Sequence, residues 1–252
     1  MQEPVRMSFT LRDAEGNVLR SYHGDRRYYA ASTMKLVVGL AVLRLVDAGA
    51  IRLDDVRPAT HVYESAVGGT FGFDPDDVDP GFPAEGEPIT VRDLFEIMID
   101  RSCNEATNML IAMTGYDALA ATCALCRLRD MHVDRMIGDV AAAKATGIRN
   151  EVTTDDLSSL MLQIVRGDHL SRESTLLFRG ALSRQQYAVI GPILPAGTPW
   201  GSKSGWVDGI NHDVAFVGAP DSASLRILSV CTGGYGESQA HEAIRAVTSA
   251  VL

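Results

Sequence analysis

The stretch Tyr28–Val46, YYAASTMKLVVGLAVLRLV, is a long apolar run that contains one lysine, Lys35. The residues from Leu36 to Leu43 are apolar around the whole circumference of a helix, which predicts a helix buried on most sides. Lys35 lies in the first turn, three residues after Ser32, where the positive end of the helix dipole disfavours a cation. A surface lysine behind a Ser32 helix cap is therefore the weaker interpretation, and we expect Lys35 to be buried.

A buried lysine at a helix N-terminus is a candidate base. Both features favour the neutral amine, so the pKa of Lys35 should fall. Residues three apart share a helix face, which brings the amine within reach of the Ser32 hydroxyl. Serine needs such a base to become a nucleophile. The S-x-x-K pattern alone is weak, because many unrelated proteins contain it by chance.

The rest of the chain places strands at both ends and helices in the middle. An N-terminal hairpin is predicted around a turn at Glu15–Asn17, and three strands are predicted near the C-terminus. Helical patterns lie at Met34–Asp47, Val91–Met98, Asn104–Met113, Tyr116–Arg127, Thr154–Val165 and Glu237–Val251. We therefore expect an α+β fold with one antiparallel sheet built from both termini, flanked by the last helix. The predicted sheet lobe is 1–31 and 190–252, and the predicted all-helical lobe is 32–189.

The composition narrows the class of partner. The 252 residues carry a formal net charge of -9, and no basic stripe is present, which argues against nucleic acid and anionic membranes. Arg44 and Asp47 interrupt the longest apolar run, so no membrane span is expected. The expected partner is a small molecule or short peptide, and we expect a monomer. The first residues lack a secretory pattern, which predicts a cytoplasmic location unless an export signal was removed beforehand.

The four cysteines do not form a disulfide framework in a chain of this length. Cys123 and Cys126 form a C-x-x-C pattern inside a helical segment, with no second cysteine pair to complete a zinc site. Buried thiols are favoured over redox or metal chemistry there.

Two further motifs raise the significance of Ser32 and Lys35. Ser102 and Asn104 form S-x-N in MIDRSCNEATNML, and K-S-G begins at Lys203 in PWGSKSGWVDG. In order, spacing and context, the chain resembles the serine β-lactamase and penicillin-binding protein superfamily, most closely the class A type, whose signature is S-x-x-K, S-D-N and K-[ST]-G. The resemblance covers nearly the whole chain. It implies the two-lobe β-lactamase and transpeptidase fold, an acyl-enzyme mechanism, and no metal or organic cofactor.

The resemblance also implies catalytic roles. Ser32 would be the nucleophile and Lys35 its base. Ser102 would relay protons between the lysines and the leaving group, and Lys203 would supply positive charge for a substrate carboxylate.

Substrate-binding roles carry over in the same way. Asn104 would contact the substrate amide, Ser204 would donate a hydroxyl, and Gly205 would leave room for close approach. The backbone N–H groups of Ser32 and Trp206 would form the oxyanion hole.

The chain departs from the family pattern in several places. Class A enzymes hold a deacylating water with a glutamate and an asparagine after the second motif, and no E-x-x-L-N occurs here. The glutamate's place falls near Asp139, which is either a shorter substitute or a helix or turn cap. Cys103 replaces the usual aspartate of the second motif. The segment Ser204–Leu225 contains no Arg or Lys, whereas many class A enzymes have an arginine there that binds the substrate carboxylate. Among the histidines, we expect His212 to line the cleft.

These departures leave three functions open. The leading hypothesis is a class A β-lactamase-like serine hydrolase. Alternatives on the same scaffold are a D-alanyl-D-alanine carboxypeptidase, esterase or amidase, and a penicillin-binding, sensor-like protein that does not turn over.

Overall fold

The computed structural model describes residues 4–252. Its main sheet has five antiparallel strands in the order β2-β1-β11-β10-β9. These strands are β1 Arg6–Arg12, β2 Val18–Tyr22, β9 Trp200–Val207, β10 Ile210–Val217 and β11 Arg226–Gly233. The N-terminal strand β1 pairs with β11 from the C-terminal region, which confirms the prediction of one sheet built from both ends of the chain.

The described residues also form three small two-stranded sheets, β3-β8, β4-β7 and β5-β6. Their strands are β3 Tyr28–Tyr29, β4 Val56–Pro58, β5 Tyr63–Glu64, β6 Thr70–Phe71, β7 Pro88–Thr90 and β8 Glu151–Val152. The helices are α1 Lys35–Asp47, α2 Val91–Asp100, α3 Asn104–Thr114, α4 Tyr116–Leu125, α5 Val140–Thr146, α6 Thr154–Arg166, α7 Arg172–Ser183 and α8 Glu237–Val251. Short 3-10 turns occupy Ala31–Met34, Pro75–Asp77 and Gly191–Ile193.

Six helices match the predicted segments, and α5 and α7 were not predicted. Among the seven residues of α5, VAAAKAT, only Ala142 is buried. The segment therefore has no apolar stripe of helical period from which a helix could be predicted. In α7, Ser171 caps the helix and Phe178 and Leu182 are buried, so the pattern was present but short.

The sheet is covered on both faces. Helix α8 packs on β10 and β11, and their apolar side chains form a smaller core. Helix α6 packs on β1, β10 and β11, and α7 packs on β9. Both α6 and α7 come from 32–189, so this segment supplies part of the sheet's cover as well as the helical lobe, and the lobe boundaries stay a prediction.

Helix α1 is the centre of the larger core. Every residue from Lys35 to Leu43 is buried, as the apolar pattern predicts, and α1 contacts α2, α3, α4, α6 and α7. The N-terminus of this helix is therefore fixed by packing on several sides.

Among residues 4–252, no helix has the length and apolar character needed to cross a membrane. The four cysteines are free and buried.

Candidate active site

Ser32 lies on a tight turn that feeds α1. The 3-10 turn Ala31–Met34 precedes the helix, so α1 begins at Lys35 rather than near Ser32. Ala31 has a φ of 43°, a left-handed conformation that costs a residue with a Cβ about 1–3 kcal/mol. The turn contacts β9 and β10, and this packing holds the strained backbone immediately before the Ser32 hydroxyl.

Lys35 is fully buried and its ammonium head lies among neutral oxygens. Nζ lies 3.0 Å from Ser32 Oγ and 2.8 Å from Asn104 Oδ1. It also donates to the carbonyl oxygen of Ser102 at 2.6 Å and contacts Ser102 Oγ at 3.1 Å. Within the described residues, no carboxylate forms an ion pair with Lys35. Burial lowers the pKa of Lys35 to about 7, and the more distant charge of Glu105 opposes this only in part.

The loop between α2 and α3 supplies the second group of polar side chains. Ser102 has a φ of 62°, and its carbonyl and hydroxyl both contact Lys35. Cys103 then caps α3, with the Ala106 N–H donating to its Sγ. This cap places Asn104 in the first turn, where its side chain reaches Lys35.

Glu105, two residues after Cys103, explains why cysteine fits in place of aspartate. The Cys103 thiol donates to Glu105 Oε2 at 3.2 Å, and both side chains are buried. An aspartate at this position would bring a second carboxylate against Glu105 in a low-dielectric interior, where like charges repel strongly. Cysteine supplies both a cap acceptor and a donor to Glu105.

Lys203 enters the site from β9. It is fully buried, and its Nζ lies 3.0 Å from Ser102 Oγ and 2.8 Å from the Ser204 carbonyl. Burial lowers the pKa of Lys203 well below its usual range, and repulsion from Lys35 lowers it further. The Ser102 hydroxyl therefore lies between two buried amines, each within hydrogen-bond distance.

Gly205 allows β9 to lie directly against the Ser32 turn. A Cβ on Gly205 would come within 2.8 Å of the backbone nitrogens of Ser32 and Thr33, so any larger residue would push the strand away. Ser204 is buried, and its Oγ has no hydrogen-bond partner within the described residues. Trp206 is half exposed and packs against Tyr187, with ring centroids 4.8 Å apart.

Asp139 has a structural role as a helix cap, the second of the two interpretations given above, and the hypothesis that it holds the deacylating water stays a prediction. It is the N-cap of α5: Oδ1 accepts from the Ala142 N–H at 3.0 Å and from Ser65 Oγ at 2.9 Å, and Oδ2 accepts from the Ala66 N–H at 3.0 Å. Burial raises the pKa of Asp139, but these three hydrogen bonds together outweigh it and the pKa is lowered. The carboxylate is tied to a loop and a helix, and none of its hydrogen bonds goes to Ser32 or Lys35.

His212 supports the site from behind and does not line the cleft as predicted. It is buried on β10, its Nε2–H donates to the Tyr29 carbonyl at 2.9 Å, and the Thr232 N–H donates to its Nδ1 at 3.3 Å. Burial lowers the pKa of His212 to about 4. The neutral imidazole thus ties the segment before Ser32 to the sheet.

Asp213, the next residue on β10, was missed from the sequence. It is buried, and its Oδ2 accepts from the N–H groups of Val189 and Ile190. Burial raises the pKa of Asp213, and the hydrogen bonds from Ile190 and Val189, with the smaller effect of the Lys203 charge, offset this only in part. The only sequence signal was a carboxylate inside the apolar run DVAFV.

The profile of the beta-lactamase enzyme family, Beta-lactamase2, matches residues 1–252. A beta-lactamase from Sphaerobacter thermophilus is similar at 29% identity and a TM-score of 0.81, covering 98% of this chain and 90% of the other. An ancestral class A beta-lactamase is similar at 26% identity and a TM-score of 0.77, covering 96% and 91%. A mutant of PBP-A, solved as an acyl-enzyme complex with penicillin G, shares the fold at 22% identity and a TM-score of 0.77, covering 99% and 91%.

Proposed function

The chain belongs to the beta-lactamase enzyme family, and from this premise we propose that it is a class A β-lactamase-like serine hydrolase. It forms an acyl-enzyme on Ser32 from a β-lactam or a related amide or ester. The observation that carries the proposal is the 3.0 Å contact between Lys35 Nζ and Ser32 Oγ, made by a buried amine whose pKa is lowered to about 7. Near neutral pH such an amine is deprotonated in a large fraction of molecules and accepts a proton readily.

Acylation uses the two buried lysines in sequence. Ser32 Oγ attacks the carbonyl carbon and its proton passes to Lys35, while the oxyanion forms next to the backbone N–H groups of Ser32 and Trp206. When the tetrahedral intermediate collapses, the bond from carbon to the leaving nitrogen or oxygen breaks. The leaving atom takes a proton relayed through Ser102, whose hydroxyl contacts both lysines.

Side chains of β9 and of the first turn of α3 bind the substrate. The unpaired Ser204 hydroxyl donates to a substrate carboxylate, and the negative charge of that carboxylate favours the protonated form of Lys203 and so strengthens the contact. Asn104 exchanges part of its contact with Lys35 for the substrate amide.

A second candidate function follows from the environment of the acyl group. Among the described residues, no carboxylate contacts Ser32 or Lys35, and Asp139 is occupied by Ser65, Ala66 and Ala142. A hydrolytic water then depends on Lys35 as its base, and deacylation is slow. The candidate is a penicillin-binding protein whose acyl-enzyme persists. A carboxypeptidase, esterase or amidase would instead turn over acyl donors other than lactams.

Intact-protein mass spectrometry after mixing with penicillin G tests the proposal. We expect an adduct of one penicillin on Ser32, and the Ser32→Ala variant, matched in fold by its melting curve, should give none. A wild type that gives neither the adduct nor hydrolysed penicillin G, or a Ser32→Ala variant that gives either of them, would overturn the assignment of the nucleophile.

Two chromogenic substrates separate the candidates once acylation is established. Rapid steady-state nitrocefin turnover identifies a β-lactamase. A single burst with a lasting adduct identifies the non-turnover protein, and faster turnover of a p-nitrophenyl ester than of nitrocefin identifies the esterase or amidase.

A further inference from the structure

A groove of about 780 Å³ lies beside the candidate active site. Tyr29 and Val207 are among the residues that line it. Tyr29 comes three residues before Ser32, and Val207 directly follows Trp206. The groove therefore begins close in sequence to both N–H groups of the predicted oxyanion hole, and it lies between the turn that joins β9 to β10 and the end of α5.

The charge of this groove is opposite to that of the whole protein. Four cationic side chains line it, Arg6, Arg135, Lys144 and Arg149, against one carboxylate, Asp208, among the described lining residues. The chain as a whole has a formal net charge of -9. Its three lysines are Lys35 and Lys203 in the candidate site and Lys144 in the groove.

Much of this positive charge is not neutralised by the protein itself. Within residues 4–252, Arg135, Lys144 and Arg149 form no ion pair, and the last two are exposed. Arg135 is buried: its Nη1 donates to the carbonyls of Met136 and Asp139, and its Nε has no hydrogen-bond partner among the described residues. The charge of Arg135 is partly offset because it helps to lower the pKa of Asp139. Lys144 and Arg149 therefore carry most of the available attraction for an anion.

A substrate that lies along β9 extends its acyl side toward this groove. If Lys203 holds a carboxylate on the leaving side and the Trp206 N–H faces the reacting carbonyl, the substrate runs along β9. A strand rises about 3.3 Å per residue, so these two contacts are separated by about 10 Å, the length of a small acyl donor. The substituent on the acyl side then continues past Trp206 toward Val207 and the groove.

We propose that this groove binds a carboxylate on the acyl side of the substrate, so that the protein selects acidic acyl donors, such as an acidic peptide or a β-lactam with an acidic side chain. The inference rests on the proposed function of Ser32. Guanidinium groups pair with carboxylates through two parallel hydrogen bonds, and Lys144 adds a point charge. Attraction of this kind raises the rate of productive encounter and weakens with salt.

Three penicillins with the same core test the charge preference. Benzylpenicillin has a neutral acyl side chain, carbenicillin adds a carboxylate to it, and ampicillin adds an ammonium group. The second-order rate of Ser32 acylation by each is measured by quenched intact-protein mass spectrometry at low and high salt. We expect carbenicillin to react fastest and ampicillin slowest, with about a tenfold spread at low salt that shrinks at high salt.

Paired variants locate the preference in the groove. In Lys144→Gln/Arg149→Gln the ratio of carbenicillin to benzylpenicillin rates should fall to about one. The matched control Arg52→Gln/Arg172→Gln removes two exposed charges that do not line the groove, and it should keep the wild-type ratio.

The outcomes separate the two proposals. Adducts from all three penicillins without a preference for carbenicillin, or a preference that survives the groove variant, would overturn the carboxylate site and leave Ser32 acylation standing. Neither an adduct nor hydrolysis with any of the three penicillins would overturn the proposed function and the groove together.

Discussion

Asp139 and Lys35 are both buried ionisable groups, but their surroundings stabilise the charged form of Asp139 and the neutral form of Lys35. The carboxylate of Asp139 accepts three hydrogen bonds from neutral donors, and these outweigh burial and keep its pKa low. The amine of Lys35 also contacts several polar atoms, but no described carboxylate pairs with it, and burial lowers its pKa to about 7. The first group remains charged at neutral pH, and the second is poised to exchange a proton.

The difference shows that burial alone does not make a group reactive. A buried charge that is compensated by fixed dipoles is stable and chemically quiet. A buried cation without an opposite charge loses its proton easily, and a serine hydroxyl within 3.0 Å gives it a proton to take. Substitutions should therefore affect stability at Asp139 and chemistry at Lys35.

The largest effect should come from Lys35→Met. Methionine fills similar space in the buried helix but cannot accept a proton, so the rate of Ser32 acylation should fall by about 10³-fold or more. The rate is measured by quenched mass spectrometry with penicillin G, and a urea melt verifies the fold. A loss of less than tenfold would assign the base elsewhere.

Asp139→Ala should act on stability. It removes the α5 cap and leaves the donors of Ser65, Ala66 and Ala142 without their acceptor, so the free energy of unfolding should fall by about 3 kcal/mol. Urea denaturation at pH 7 measures this. The control is Asp221→Ala, which removes only an ion pair to Arg179 from a side chain 86% exposed, a change of about 1 kcal/mol or less. Slower deacylation with unchanged stability would restore Asp139 as the residue that holds the water.

The pH dependence of acylation should report the pKa of Lys35. The base must be neutral, so the rate should rise about tenfold per pH unit below about pH 7 and level off above it. A rate profile from pH 5 to 9 with a neutral penicillin measures the midpoint. A flat profile over this range would contradict a titrating lysine base.

The smallest effect should be that of His212 on the pH dependence of the free energy of unfolding. Its folded pKa, about 4, lies below the unfolded value of 6.5, so the unfolded state binds more protons between these values. Stability is therefore complete above pH 6.5 and is lost as pH falls, by about 1 kcal/mol between pH 7 and 5.5. His212→Gln should reduce this pH-dependent loss, measured by urea denaturation at the two pH values. An identical loss in both proteins would assign it to other groups.

Much of the site was predictable because its groups lie in local patterns. S-x-x-K places Ser32 and Lys35 on one face of one turn, and an all-apolar helix predicts burial of the lysine without knowledge of its neighbours. The strand carrying Lys203 was predicted with its bounds, Trp200–Val207. That Ser102 and Lys203 approach the same lysine from loops and strands far apart in the chain came only with the family resemblance.

Asp139, His212 and Asp213 show where local patterns are insufficient. The alignment by spacing could not distinguish a water-holding carboxylate from a cap, because the distinction depends on Ser65 and Ala66, more than 70 residues away in sequence. His212 was expected at the cleft, but its two ring nitrogens are used by Tyr29 and Thr232. In each case the partner is supplied by a different element of the fold.

The sequence by itself determined which residues are candidates for the chemistry, because residue type, helical spacing and apolar periodicity are local properties of the chain. The tertiary structure decided which of the buried charges are compensated, since hydrogen bonds and desolvation depend on groups brought together from distant segments. For this protein that decision leaves Lys35 beside Ser32 with a lowered pKa, assigns Asp139 to a helix cap, and gathers Lys144 and Arg149 around a groove that opens beside Trp206.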